Sequence, residues 1–166
     1  SSRNQTHDLD LASDHVDDLL DSIPREFLPE SWQQTKQRAK TAFQELTSGY
    51  SKDIHDIASG AIFPSHAKDI VMVKDLKIAS LCEHHLLPFV GECHIGYIPN
   101  GNIIGLSKIP AIINVFAQRL QVQENLGQQI SDALMQVTKC HGVIVVIQAL
   151  HTCLSIRGNH KEQAQF

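Results

Sequence analysis

No apolar run in the chain approaches the ~18–20 residues that a membrane-spanning helix requires, so no span is expected. The N-terminal stretch is polar and rich in aspartate, and it lacks the apolar core of a secretory signal. There is no excess of positive charge. Fourteen Lys and Arg face eighteen Asp and Glu, for a formal net charge of −4, which argues against a nucleic-acid partner. A small anionic ligand stays open, because a pocket can be locally basic. Internal repeats and low-complexity segments are absent. Cysteine is sparse, at four residues. Without an export signal, these are expected as reduced thiols in a cytoplasmic protein.

What is present suits one globular domain. The 166 residues, 42% of them hydrophobic, are enough for a core. Residues 1–12 read as loose and polar. From Ser13, Val16, Leu19, Leu20 and Ile23 repeat at helical spacing, with Asp14, Asp17 and Asp18 near the N-terminal end, until Pro24 stops the segment. Ser31-Trp32-Gln33-Gln34 reads as a capping box. Behind it, Ala39, Ala42, Phe43 and Leu46 form an apolar stripe ending at Gly49. A short helix is expected at about 53–59, closed by Gly60.

The pattern changes near Asp69. Ile70 to Val73 and Leu76 to Ile78 read as strand, as does Phe89 to Ile98. Pro99-Asn100-Gly101 is a hairpin signal, after which Ile103-Ile104 is expected to resume the sheet. Ser107 is expected to cap a helix with the stripe Ile109, Ile112, Ile113, Phe116 and Ala117. A second stripe runs Val122, Leu126, Ile130, Ala133, Leu134 and Val137. Val143 to Leu150 is a β-branched run and the last strand. Strands separated by packed helices indicate an α+β domain with an antiparallel sheet. A helical region over 1–66 and a sheet-bearing region over 67–166 are expected within one compact domain.

Two places carry metal-binding residue types. Cys82 and His85 are three apart, a spacing that lets a loop wrap one ion, and Cys153 lies far along the chain. If the last strand continued through Arg157, then His151, Cys153, Ser155 and Arg157 would share one face. Two thiolates and one imidazole leave a tetrahedral position open, the form of a catalytic zinc site, where hydroxide becomes available near neutral pH. A lone cysteine is otherwise a small buried apolar residue, the reading given to Cys93 and Cys140. Glu83 reads as a solvated loop acid or as a partner orienting a ligand. His7, His15, His55, His66, His94, His141 and His160 read as surface or packing residues.

Ser80-Leu81-Cys82-Glu83-His84-His85-Leu86-Leu87-Pro88-Phe89, Gly105-Leu106-Ser107-Lys108-Ile109-Pro110, Arg119-Leu120-Gln121-Val122-Gln123-Glu124 and His151-Thr152-Cys153 resemble GTP cyclohydrolase I. The likeness runs from about Ser31 to Gly158, with the spacings between motifs kept. It implies a tunnelling fold, in which a four-stranded antiparallel sheet with helices on one side, preceded by an N-terminal helical hairpin, joins its copies into a barrel. It also implies a homodecamer of two stacked pentamers with active sites shared between subunits. The implied reaction opens the imidazole ring of GTP, releases C8 as formate and yields 7,8-dihydroneopterin triphosphate, on the route to folates and biopterin.

Residue by residue, the resemblance assigns Cys82, His85 and Cys153 to Zn2+ and makes His84 and His151 the acid/base histidines. Moving protons onto ring nitrogens suits imidazole, which titrates near working pH. Gln123 and Glu124 look like the guanine readers; alone they would read as a solvated helix-start pair. Ser107, Lys108 and Arg157 look like triphosphate contacts, Lys108 near a helix N-terminus; alone it would read as a surface lysine. Arg38, in Thr35-Lys36-Gln37-Arg38-Ala39-Lys40, falls on a phosphate-binding arginine, although the family's proline is absent there. Alone it is an exposed helix charge. Two features depart from the family pattern. Ala111 stands where the family usually has another triphosphate-binding arginine, a loss of roughly 1–3 kcal/mol of binding. The Thr/Ser-rich segment that normally follows Arg-Gly is missing before Phe166. Ala111 is the one feature favouring a catalytically silent purine- or pterin-binding paralogue.

Overall fold

The computed structural model describes residues 18–157 of the chain. The expectations for residues 1–17, with His7 and His15, and for His160 lie outside the described residues. The chain divides into two compact units, Ser1–Glu45 and Leu46–Phe166.

In the first unit, residues 18–21 are helical and stop before Pro24, whose ring cannot continue a helix. A short 3₁₀ turn, Arg25–Phe27, follows, and helix α1 spans Trp32–Leu46. It starts after Ser31 as expected, whose carbonyl accepts from the Thr35 backbone N–H at 3.0 Å. Lys36 pairs with Asp21 at 2.5 Å and holds that carboxyl below the usual range. The expected apolar stripe is present, yet α1 has no buried residue, and Phe43 is 40% exposed. The periodicity marked a face suited to burial; this chain by itself does not bury it.

The second unit opens with helix α2, Ile54–Ala58, whose N-cap Asp53 accepts from the His55 N–H at 2.7 Å. Gly60 ends it at φ +67, a left-handed conformation that glycine tolerates without strain. The strands are β1 Ile62–Pro64, β2 Val71–Cys82, β3 Pro88–Ile98, β4 Asn102–Ile104, β5 Leu120–Gln121 and β6 Gly142–His151. The helices are α3 Lys108–Ala117, α4 Gln123–Thr138 and α5 Thr152–Ser155. Lys139 closes α4 in the left-handed conformation, φ 54. No helix among the described residues is long and apolar enough to cross a membrane.

The main sheet has the order β5-β2-β3-β6. Strands β2, β3 and β6 are antiparallel, and the short β5 runs parallel to β2. The four-stranded antiparallel expectation is corrected in two respects. The fourth strand is parallel, and Ile103-Ile104 does not rejoin the sheet but pairs with β1. Both edges of β3 are already filled, by β2 and by β6, so the chain leaving the Pro99-Asn100-Gly101 turn finds no free ladder. A hydrogen bond from the Ile104 N–H to the Tyr97 hydroxyl, 3.4 Å, ties β4 back to β3. Ser107 sits before α3 but makes no side-chain cap bond, since its own backbone is already helical.

One face of the sheet carries the core. Phe89, Cys93, Ile95 and Tyr97 alternate on β3 and join Ile109, Ile112 and Ile113 of α3 and Leu126, Ile130 and Leu134 of α4. On the intervening positions, Met72, Val90, Ile144 and Val146 stay exposed. Strands β3 and β6 meet unusually closely at Gly91, where a Cβ would lie 2.0 Å from the Gln148 carbonyl oxygen.

Cys93 is fully buried, and burial pushes its thiol up to about 11. A thiol raised on folding keeps its stabilising effect below its unfolded value and loses it as pH rises toward the folded one. Between about pH 9 and 11 the folded state should therefore lose up to about 2–3 kcal/mol through this group. Denaturant midpoints across that range should fall more steeply for the parent than for Cys93→Ala. Parallel slopes would show that Cys93 does not titrate in this way.

Candidate active site

The site forms where β2, β3 and β6 end. Cys82 is the last residue of β2, held by parallel pairing to Gln121 of β5. The next N–H, of Glu83, donates to the Gln121 carbonyl at 3.0 Å. The chain then turns tightly. The Leu86 N–H donates to the Cys82 carbonyl and the Cys82 N–H to the Leu87 carbonyl, each at 2.9 Å. Leu86 takes the left-handed conformation at φ 55 to close the turn. This brings both His84 Nδ1 and His85 Nδ1 to 3.9 Å from Cys82 Sγ.

Cys153 arrives from the other side. Phe89 of β3 is in register with His151, the last residue of β6. The expected extension of this strand through Arg157 does not occur: Thr152–Ser155 is the helix α5. The reason is the partner strand. β3 starts at Pro88, which stands opposite Thr152 and has no N–H to give, so the β6 ladder ends at His151. The chain coils instead, with the Thr152 hydroxyl donating to the Pro88 carbonyl at 2.5 Å and the Ile156 N–H to the Thr152 carbonyl at 3.0 Å. Cys153 is buried in this turn, whereas Arg157 is exposed.

One ligand atom from each of Cys82, His85 and Cys153 lies within 4.8 Å of the others. Burial raises the Cys153 thiol, the adjacent Cys82 raises it further, and Arg157 opposes both. Two thiolates so close repel, and a dication between them reverses that repulsion. Two sulfurs and an imidazole suit a borderline-soft metal, so the residues fit the group expected.

His151 is half-buried and stacked on Phe89, with ring centroids 4.8 Å apart and planes at 14°. Its Nε2 lies 2.9 Å from Gln123 Oε1. Burial lowers its pKa, and the Glu124 carboxylate partly opposes the shift. His84 is largely exposed, with its Nε2 3.6 Å from Glu83 Oε1. Cys82, His84, His85, Gln123, Glu124, His151 and Cys153 line one cavity of about 170 Å³. A second cavity, of about 410 Å³, lies along α4 and β6 and shares Gln123 and Glu124 with the first.

The remaining expected residues do not line the first cavity. Ser107 and Lys108 stand at the start of α3, and Arg157 follows α5. Arg38 is on α1, its Nη2 donating to Gln34 Oε1 at 3.3 Å. Ala111 lines a separate cavity beside Lys52, Asp53 and Asp56. Two residues not singled out from the sequence matter to the site. Phe89 supplies the ring under His151. The buried Gln121 supports the Cys82 turn, its Nε2 donating to the Phe116 carbonyl at 2.9 Å and to Gln129 Oε1 at 2.8 Å. Both lie within the quoted motifs, but their roles depend on strand register.

Two histidines read as unremarkable have partners. His55 Nε2 lies 2.9 Å from Gln136 Nε2, and His94 Nδ1 accepts from the Asp75 N–H at 3.1 Å. Asp75, Glu92 and His94 also cluster within 4.8 Å, but Glu92 is already neutralised by Lys77. Cys93 and Cys140 are buried apolar residues as expected, and all four cysteines are free thiols.

Residues 12–166 match the family model described as GTP cyclohydrolase I. The chain is 45% identical over 146 residues to the GTP cyclohydrolase 1 of Hahella chejuensis, covering 88% of this chain and 78% of that protein. It is 46% identical over 146 residues to a GTP cyclohydrolase 1 of Pseudomonas syringae pv. tomato, covering 88% and 81%. With that of Methylococcus capsulatus it shares 43% over 154 residues, covering 93% and 81%.

Proposed function

The chain belongs to the GTP cyclohydrolase I family, and we propose that it opens the guanine imidazole ring of GTP by hydrolysis, releasing formate and leaving 7,8-dihydroneopterin triphosphate. The observation that carries this reading is the convergence of Cys82, His85 and Cys153, with His84 and His151 in the same cavity. The metal is Zn2+, held by those three residues; it supplies a Lewis acid that makes water nucleophilic near neutral pH.

The chain's own residues do the rest. His151 moves protons to and from the ring nitrogens, and its partial burial disfavours the protonated form. His84, more exposed, exchanges protons between the site and solvent. Glu124 accepts hydrogen bonds from N1 and N2 of guanine, which adenine cannot offer, and Gln123 borders the same ring. Lys108 at the start of α3, with Arg157 and Arg38, neutralises the triphosphate, and the Ser107 hydroxyl donates a hydrogen bond to it.

We also propose the tunnelling-fold homodecamer, with residues 1–66 as its helical region, 67–166 as its sheet-bearing region and active sites shared between subunits. Three features support this. The sheet leaves Met72, Val90, Ile144 and Val146 exposed, and α1 has no buried residue. The cavity of about 170 Å³ is also smaller than the ~300–1,000 Å³ of ordinary ligand pockets. The compartment is the cytoplasm, where free thiols such as these four persist.

Purified protein incubated with GTP should release formate, and Cys153→Ala should lose both bound zinc and turnover while keeping its fold. Absence of formate from the metal-loaded parent would reject the activity. Full zinc content in the variant, by elemental analysis, would reject the ligand set.

The shared site has its own test. Cys153→Ala and Arg38→Ala, each inactive alone, are mixed equally, unfolded and refolded together. If Arg38 serves a neighbour's site, about one site in four regains both parts by random assortment in a symmetric ring, and activity returns to about that fraction. A dead mixture, with hybrid oligomers confirmed by mass, would defeat the shared-site reading of Arg38.

A further inference from the structure

His151 ends β6 with its ring held on two sides. Phe89 covers one face, and at the edge Nε2 lies 2.9 Å from Gln123 Oε1. The other end of that amide is held as well: Gln123 Nε2 donates to the Ile147 carbonyl at 3.2 Å. A carbonyl oxygen can only accept, so the amide nitrogen has to face Ile147 and the amide oxygen has to face His151. An amide oxygen also only accepts. The hydrogen between Gln123 and His151 therefore belongs to His151 Nε2, and the neutral imidazole carries its lone pair on Nδ1.

We infer that Gln123 is a positioning residue, which fixes the ring plane and the tautomer of His151 so that Nδ1 is its basic nitrogen. This rests on the reading of His151 as a proton-transfer residue. It changes the role of Gln123 beside Glu124. The first residue of α4 acts through the histidine, its amide oriented by a backbone carbonyl, while the exposed carboxylate of the second residue is left to read the guanine. The arrangement spans three elements. α4 supplies the amide, β6 supplies both the carbonyl and the imidazole, and β3 supplies the stacking ring.

Gln123→Met keeps the side-chain length and removes both polar ends. Its kcat for formate release should fall roughly ten- to a hundredfold, with KM for GTP within about twofold. In a His151→Ala background the same substitution should cost nothing further, because residues acting through one group are not additive. A raised KM with unchanged kcat, or an equal further loss in the His151→Ala background, would make Gln123 a direct substrate contact and overturn the inference.

A second readout does not use turnover. In protein labelled with ¹⁵N-histidine, the His151 signals should show the Nε2–H tautomer in the parent. They should shift toward a tautomer mixture in Gln123→Met, and stay Nε2–H in Gln123→Glu, whose carboxylate can only accept. An Nδ1–H tautomer in the parent, or identical signals in parent and Gln123→Met, would overturn the positioning role whatever the kinetics. Parent-level turnover in His151→Ala would instead sink the acid/base reading of His151, and the tautomer signals would then decide the role of Gln123 alone.

Discussion

Strand β3 begins at Pro88, and both of its neighbours lose their ladder at that level. Leu81 of β2 pairs with Pro88, and His151 of β6 pairs with Phe89. Past these pairs β3 offers no further ladder: Cys82 follows Leu81 directly and keeps only its pairing to β5, and Cys153 lies two residues past His151. Proline removes a donor and fixes φ, so the ladder ends sharply at this point. From Cys82 the chain turns back through His84 and His85; from His151 it coils into α5 and delivers Cys153. The candidate metal ligands converge because β2 and β6 both lose β3 as a partner at the same height.

That convergence places the thiols of Cys82 and Cys153 beside the His85 imidazole. The Cys153 thiol is raised by burial and by Cys82, against a backbone hydrogen bond and Arg157, which lower it. Cys93 is raised too, to about 11, by burial, and it is not part of the Cys82, His85 and Cys153 cluster. The difference separates a core cysteine from a candidate ligand on physical grounds. Burial alone makes a thiol inert, whereas two thiols and an imidazole at one point create a demand for a cation. His151 is also held by its surroundings. It is stacked on Phe89, and its edge is bonded to an amide that a backbone carbonyl orients.

The single chain also shows what it does not complete. The core faces one side of the sheet, and apolar side chains on the other side stay in water. α1 carries an apolar stripe without burying any residue. Of the phosphate-binding candidates, Arg157 acts electrostatically on Cys153, while Ser107 and Lys108 start another helix. A substrate with a purine at one end and a triphosphate at the other is long, and the proposed assembly is what would bring those groups to it.

Local pattern was enough for much of this protein. The period of two over β3 and β6 and the helical stripes of α3 and α4 each depend on near neighbours, and so were legible in the sequence. So were the candidate ligands, because Cys, His and their spacings are chemical identities rather than conformations. Tertiary structure decided whatever required competition for a partner. Ile103-Ile104 reads as strand wherever it lies, but only the filled edges of β3 send it to β1. Thr152 to Ser155 can extend or coil, and the start of β3 at Pro88 settles that it coils. Gln123 reads as a helix-start residue, and only the register of β6 puts a carbonyl and an imidazole at the two ends of its amide. A chain states its own residues and their period; which hydrogen-bonding edge is still vacant is a property of all the other strands at once.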